Sequence, residues 1–539
     1  MAEARVPALL SDANRRQTTV SSVILSRHTF IDTADTKRRN LGSLISSIGF
    51  GWYQVQVFIL CSGALFSEGA IVEMMASLVG VWSDDDGIIQ VATTAGKGML
   101  MTYLFVGIQI GTVLCGFISD AFGRRWPLLL AYAGSVVMIV VISVAARSVA
   151  SLYVFLVLTG IFTGMGVPAA LVFVSEVMPA HLRGAAAALM GVSFRLGHIW
   201  ASFGLCLFMP HMDTGPWRGL TLWAGIPALV FILAACMCSV SRHDTSYFLA
   251  AKGRNPELLA AINCMAMKNG CPDKCMVFQD SVNCPQTAPP LRELLPIALA
   301  YWFQALVLMA AFFAKEFVAG GFITFMPVAM EELQDFSSIS HAMQLLIISA
   351  CGIPGVFIAM GVMSALPRRR ALPLGAFLTV LLALLMLSKT VWVFFLGALC
   401  FQLAFPAWQM TTMLLPGEIF PTQVKTVWYG VVYFVGRFGS LVAPQVIHRS
   451  LPAYHFVVLG LGLSASILVQ MLPETSHTDL TNLSKDGADG KDEKMHKEAS
   501  LESGDDETTK LHKATEAKFA GYGAAPSDSK VKTDRRGSC

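Results

Sequence analysis

The sequence predicts an all-α membrane protein in which twelve transmembrane helices form two six-helix pseudo-repeats. The first observation is compositional: of 539 residues, 54% are apolar and only 14% charged, against roughly a quarter charged in an average soluble protein. Such a chain has too few charges to cover a water-facing surface, so most of its surface faces lipid. The second is that twelve apolar stretches approach the ~20 residues a helix needs to cross a hydrocarbon core of about 30 Å. The third is a repeat. Glu176, Pro179, Arg183 and Arg195 are matched by Glu418, Pro421, Lys425 and Arg437, each at one offset (418 − 176 = 437 − 195 = 242).

The spans are expected near 53–76, 99–118, 126–146, 151–174, 184–209, 217–240, 299–328, 342–364, 371–388, 391–414, 426–447 and 452–472. The segment 1–50 is polar and basic, with no charged, apolar and small-residue pattern of a cleaved signal, so the first span serves as its own insertion signal. Cations set the orientation. Arg15, Arg16, Lys37, Arg38 and Arg39 precede span one, and alternate loops hold Arg124, Arg125, Arg183, the cations from Arg242 to Arg292, Arg368 to Arg370, and Lys425. The opposite loops hold few cations and an acidic run at 84–86. The positive-inside rule then puts both termini on the cytoplasmic side, in a plasma or organelle membrane that the sequence does not choose between. The net charge of +3 reflects topology and tails, and points to no nucleic acid partner.

The organisation expected is a cytoplasmic segment 1–50, a six-helix half 51–240, a cytoplasmic link 241–296, a second six-helix half 297–472 and a tail 473–539. Within the link, 256–268 reads as a short amphipathic helix. The tail is rich in Lys, Glu, Asp, Ser and Gly, so it is expected to be disordered and open to cytoplasmic partners. Twelve cysteines are scattered along the chain; Cys264, Cys271, Cys275 and Cys284 cluster in the link with six, three and eight residues between them. No common zinc module has that spacing, so no metal and no cofactor is expected.

Between spans two and three the chain reads Gly116-Phe-Ile-Ser-Asp120-Ala-Phe-Gly123-Arg124-Arg125. This resembles the signature loop of the major facilitator superfamily. The resemblance implies a conformational latch of Asp120, Gly123, Arg124, Arg125, Glu176, Arg183, Glu418 and Lys425. In it Asp120 faces the positive end of a helix in the other half, and Arg124 and Arg125 pair with acids such as Glu176 or Glu418. The alternative is that these arginines serve topology alone. The second-half counterpart, Gly361-Val-Met-Ser-Ala365-Leu-Pro-Arg368-Arg369-Arg370, has Ala365 where Asp is expected and Arg368 where Gly is expected, so its latch is expected to be weaker or built differently.

The approach to span one, Gly49-Phe50-Gly51-Trp52-Tyr53-Gln54, resembles the synaptic-vesicle-protein-like and organic ion transporter branch, which includes metabolite:proton symporters. So do its spaced acids Glu68 and Glu73, the Arg437-Phe-Gly-Ser-Leu-Val-Ala-Pro444 segment and Pro473-Glu474-Thr475. Sugar porters share the Arg-Arg loop and the Pro-Glu-Thr ending, but their glutamine-rich span-seven motif is absent.

Ionisable residues inside spans are costly and mark pairing or function. Arg195 and Arg437 each lie twelve residues beyond the cation that opens their span, about 18 Å in at 1.5 Å per residue. His198 shares a helix face with Arg195, and Lys315 and Glu316 lie midway along span seven, ahead of Gly320 and Gly321, where that helix could bend. In one reading Arg437, Arg195 or Lys315 binds an organic anion while Glu68, Glu73, Glu316 or His198 takes up a coupling proton; in the other these charges pair across helices. Glu68 and Glu73, near the outer end of span one, also read as solvated rim acids. Lys315 and Glu316, about 100° apart on the helix, are not expected to meet one partner together. Trp302, Phe303, Trp408 and Tyr433 are candidate cavity aromatics.

There is no Gly-Lys-Ser/Thr phosphate loop and no nucleophile beside a base in a known motif, so the chain reads as no enzyme and is not driven by ATP. The function expected is alternating-access transport of a small charged organic metabolite across a lipid bilayer, coupled to a proton or other ion gradient. A facilitator for a sugar or other neutral solute, and a non-transporting sensor with a transporter fold, stand as alternatives.

Overall fold

The computed structural model describes residues 41–81, 94–179, 182–210, 216–238, 243–274, 296, 299–332, 339–420 and 424–473. The segment 1–40, the acidic run at 84–86, Cys275, Cys284, Pro421, the tail from 474 and the side chain of Lys425 lie outside the described residues.

The helices are α1 (Leu41–Ile48), α2 (Trp52–Val81), α3 (Thr94–Phe122), α4 (Arg125–Ala145), α5 (Val149–Val177), α6 (Arg183–Phe208), α7 (Trp217–Met237), α8 (Ser246–Ala251) and α9 (Asn255–Lys268). They continue as α10 (Trp302–Glu332), α11 (His341–Ala365), α12 (Arg368–Leu385), α13 (Val391–Ile419), α14 (Lys425–Arg449) and α15 (Leu451–Val469). Among the described residues, twelve long helices, α2 to α7 and α10 to α15, fall at the twelve expected spans. Ten of them are long and apolar enough to cross a membrane unaided. The other two are α6, diluted by buried Arg195 and His198, and α12, which opens on Arg368, Arg369 and Arg370. Both cross as part of the bundle, where neighbouring helices bury what lipid would reject.

Helices α2 to α7 and α10 to α15 repeat one pattern of packing. α2 lies on α6 as α10 lies on α14; α3 on α5 as α11 on α13; α4 on α5 and α7 as α12 on α13 and α15. The match reaches the backbone. A Cβ added at Gly197 would meet the Phe66 carbonyl at 2.2 Å, and one added at Gly439 would meet the Phe313 carbonyl at 2.2 Å. Small residues at such crossings let helices approach closely where lipid supplies no hydrophobic drive. The two sets meet through α6 on α11, α3 on α14 and α2 on α10.

Four expectations change here. Helix α2 runs on to Val81, five residues beyond the span expected, so Glu68 and Glu73 lie inside the helix and are buried, 4% and 5% exposed, instead of standing as rim acids. Helix α10 is unbroken through Gly320 and Gly321. These glycines admit neighbours: a Cβ at 320 would sit 2.6 Å from the Ser440 Cβ, and one at 321 would sit 2.3 Å from the Tyr454 ring. The polar first fifty residues contain a helix, α1, whose Leu41, Leu44, Ile45 and Ile48 form a buried stripe at helical spacing. That stripe joins Leu258, Ile262 and Met265 of α9 in one cluster with the start of α2. Asn269 clamps the arrangement, donating to the Gly49 carbonyl at 3.2 Å and to Gln54 Oε1 at 2.8 Å and accepting from the Tyr53 N–H at 3.1 Å. Finally, the second arginine loop sits one residue out of the alignment expected: two residues separate α11 from α12, as two separate α3 from α4, and Arg368 stands where Arg124 stands.

Candidate functional site

A cavity of ≈240 Å³ lies between the two helix sets. Phe105, Phe194, Phe322, Phe401 and Phe405 give it apolar walls, and Glu68, Glu73, Arg195, His198, Glu316 and Arg437 give it charge. Six of the seven substrate and proton candidates therefore converge on one space, from helices α2, α6, α10 and α14. The seventh, Lys315, is fully buried behind Glu316.

The charges form three groups. In the first, Arg437 Nη1 lies 3.5 Å from Glu68 Oε1 and Arg437 Nε lies 3.9 Å from Glu316 Oε1. Lys315 Nζ donates to the same Glu316 oxygen at 2.5 Å, and the Tyr433 hydroxyl accepts from Arg437 Nη2 at 2.5 Å. Lys315 and Glu316 thus pair with each other, the flexible lysine stem folding back across the 100° between neighbouring residues, and of the two Glu316 is the one that also meets Arg437 among the described residues. Two cations and two acids balance, as burial demands: a charge taken from water without a partner costs several kcal/mol.

In the second group, His198 Nδ1 lies 2.9 Å from Glu73 Oε2, both side chains buried. His198 Nε2 has no hydrogen-bond partner among the described residues. In the third, Arg195 donates from Nη1 to Gln402 Oε1 at 3.1 Å and from Nη2 to Gln409 Oε1 at 3.4 Å, and its guanidinium sits 6.0 Å from the Phe405 ring centre. Among the described residues no carboxylate lies within ion-pair distance of Arg195. It is 6% exposed and its charge rests on neutral amides.

Sequence reasoning missed Gln402 and Gln409. Seven residues apart in a span, they share a helix face, and that spacing was the available signal. Of the four aromatic candidates only Tyr433 lines the cavity; Trp408 is buried among helices and Trp302 is 58% exposed. The stacked pair Phe322 and Phe401, ring centres 4.2 Å apart, lines it instead.

The cavity runs toward Ala187, Ala188 and Met363, at the end that bears the arginine loops. At the opposite end the two sets bond to each other. Thr102 donates to the Leu441 carbonyl at 3.3 Å, Gln445 donates to Thr102 Oγ1 at 3.1 Å, and the Ala342 N–H donates to the Pro210 carbonyl at 3.2 Å.

Each arginine loop is tied within its own set. Arg124 Nε lies 3.3 Å from Glu176 Oε1 and Nη1 donates to the Ser119 carbonyl at 3.1 Å. Arg368 Nε lies 3.2 Å from Glu418 Oε1 and Nη1 donates to the Met363 carbonyl at 2.5 Å. Arg368 thus does the work of Arg124, so the second loop keeps its arginine–acid pair and lacks the Gly123 step and the Asp120 carboxylate. Gly123 has φ +100°, and an added Cβ would strike Asp244 Oδ2. Asp244 Oδ1 accepts from the Arg124 N–H at 3.1 Å and Oδ2 from the Arg125 N–H at 3.5 Å, while the Thr245 hydroxyl bonds Glu176. Burial lifts the Asp244 carboxyl above the usual range even against those bonds, which favour its charged form. Asp120, its side chain 84% exposed, meets only Arg124, at 3.8 Å, among the described residues. Arg125 lies over Trp126 at 5.6 Å, and Arg183 Nε donates to the Met178 carbonyl at 3.1 Å. None of these contacts crosses to the other set.

The chain was compared with known proteins. It is 22% identical over 511 residues to organic cation/carnitine transporter 7 of Arabidopsis thaliana, covering 83% of this chain and 96% of that one. It is 24% identical over 427 residues to the niacin transporter NiaP of Acinetobacter baylyi, covering 77% and 91%. The solved xylose transporter XylE of E. coli, in a partially occluded inward-open conformation, superposes with a TM-score of 0.61 at 17% identity, covering 79% of this chain and 99% of that one. A family model described as Major Facilitator Superfamily matches residues 42–444. With its twelve long helices in two matching sets around a charged central cavity, the chain belongs to the major facilitator superfamily, as a multi-pass membrane transporter and not an enzyme, with organic ion transporters among its relatives.

Proposed function

We propose that this chain is a proton-coupled transporter of a small organic anion, working by alternating access between the halves 51–240 and 297–472, with both termini cytoplasmic. The observation that supports this most is Arg195. It is a buried cation at the cavity wall, held by two neutral amides, with its positive charge still available to a carboxylate. A guanidinium suits that task because its planar fork matches a carboxylate's two oxygens.

Arg195 lies on α6 and its glutamines on α13, while Arg437 lies on α14 and Glu68 on α2. Both contacts cross between the halves, so substrate or proton arriving at either changes what holds the halves together. That is the linkage alternating access requires. The cations at the end toward which the cavity runs fit a cytoplasmic face, which supports reading this as an inward-facing state. Relatives named for carnitine and for niacin fit a charged organic substrate.

The test is uptake by purified protein in liposomes from a mixed pool of metabolites, read by mass spectrometry with and without an imposed proton gradient. Carboxylates accumulating only with the gradient is the expected result. Accumulation of a neutral sugar alone, or no uptake by folded protein, would overturn the reading in favour of a neutral-solute facilitator or a sensor.

A further inference from the structure

Resting on the anion reading, we infer that His198 is the residue through which the proton creates the substrate site. A small monocarboxylate with an apolar body is held between the Arg195 guanidinium and a protonated His198 Nε2.

The inference starts from an unmade hydrogen bond. His198 is 2% exposed, lines the cavity, bonds Glu73 through Nδ1 at 2.9 Å and leaves Nε2 with no partner among the described residues. A buried polar atom of this kind is costly to the fold unless something satisfies it. With Glu73 ionised, Nδ1 carries the hydrogen, so in the neutral ring Nε2 is a lone pair. A lone pair repels a carboxylate. One proton from solvent on Nε2 turns it into an N–H donor, and the imidazolium stays paired with Glu73.

Arg195 stands three residues before His198 on α6, about one helical turn, so the two donors share a face. The other charged groups facing the cavity are Glu68 from α2, Glu316 from α10 and Arg437 from α14. α11 and α13 present neutral Ser349 and Gln402. Glu68 and Glu316 are already matched by Arg437 and Lys315. With His198 neutral, Glu73 and Arg195 cancel and the cavity has no net charge; with one proton added it is a monocation, which one carboxylate neutralises. The phenylalanine walls then take the apolar body of the substrate. Proton and anion each raise the affinity of the other by the same factor, because linkage is reciprocal. The predicted coupling is one proton per carboxylate and electroneutral.

Benzoate is the probe, with benzamide as its neutral counterpart, and binding to purified protein is measured between about pH 6 and about pH 8, the range in which histidine changes charge. In the wild type, benzoate affinity falls about tenfold per pH unit on the alkaline side, the signature of one linked proton, and benzamide does not compete. His198→Gln flattens that slope, because an amide N–H donates at any pH. Should that variant not fold, His198→Asn serves instead, whose amide N–H also donates at any pH and flattens the slope. A wild-type slope unchanged in the folded variants, or a flat wild-type profile, overturns the role of His198 and leaves the anion reading standing. No benzoate bound at any pH overturns both.

Discussion

Arg195 and Arg437 stand 242 residues apart in sequence and twelve residues into equivalent helices, yet their surroundings are opposite. Arg437 faces Glu68, Glu316 and Tyr433, so its charge is matched inside the protein. Arg195 faces Gln402 and Gln409, which accept its hydrogen bonds, and no carboxylate lies within ion-pair distance of it among the described residues. The difference teaches that the repeat sets where a side chain stands, while partners from other helices set what it can do. A paired cation holds helices together; an amide-held one can still hold a ligand.

The largest effect should come from breaking the paired site. Arg437→Ala leaves two acids facing Lys315 alone, and breaking a buried pair of this kind costs about 3–5 kcal/mol. Thermal unfolding in detergent checks it, and a fall as small as that of a surface variant would break the comparison. Arg195→Ala should cost less stability, about 1–3 kcal/mol for two amide oxygens left without donors, while anion uptake falls on the order of a hundredfold. A double-mutant cycle on Arg437→Gln and Glu68→Gln should return a coupling of about 1–3 kcal/mol; no coupling would show the 3.5 Å contact to be spectator packing. Gly123→Ala should cost about 1–3 kcal/mol through the strained φ and the Asp244 clash. Ala at Gly361, which lies in the last turns of α11 with open space around its Cα, should be close to neutral. Among changes to the two arginines the smallest effect is Arg195→Lys, which keeps charge and loses one hydrogen bond of the fork, weakening anion affinity about five- to tenfold.

Much of this molecule was legible in the sequence because lipid leaves few options: twelve apolar stretches became twelve long helices among the described residues, and Arg195 and Arg437, twelve residues into theirs, both stand at the central cavity. The pairing was not legible. Whether Lys315 folds back to Glu316, or Glu73 finds His198, depends on which helices cross at that depth, and no spacing along one chain reports that. The register of the second loop misled for a related reason: Arg368 aligns with Gly123 by sequence and with Arg124 by contact, because the turns are equally long and the shared Gly-to-Arg lettering places the whole segment one residue out. Helix α1 was missed although its stripe at 41, 44, 45 and 48 was in view, since polar and basic neighbours set the composition of that segment.

The most direct test sets both arginines side by side in one experiment: gradient-driven benzoate uptake into liposomes bearing wild-type protein, Arg195→Gln or Arg437→Gln, each verified as folded, together with equilibrium benzoate binding. The expected result is that Arg195→Gln abolishes binding and uptake together, while folded Arg437→Gln still binds benzoate and loses only gradient-driven accumulation. If Arg195→Gln binds and accumulates benzoate as the wild type does, the amide-held arginine is not the anion site and the central claim fails.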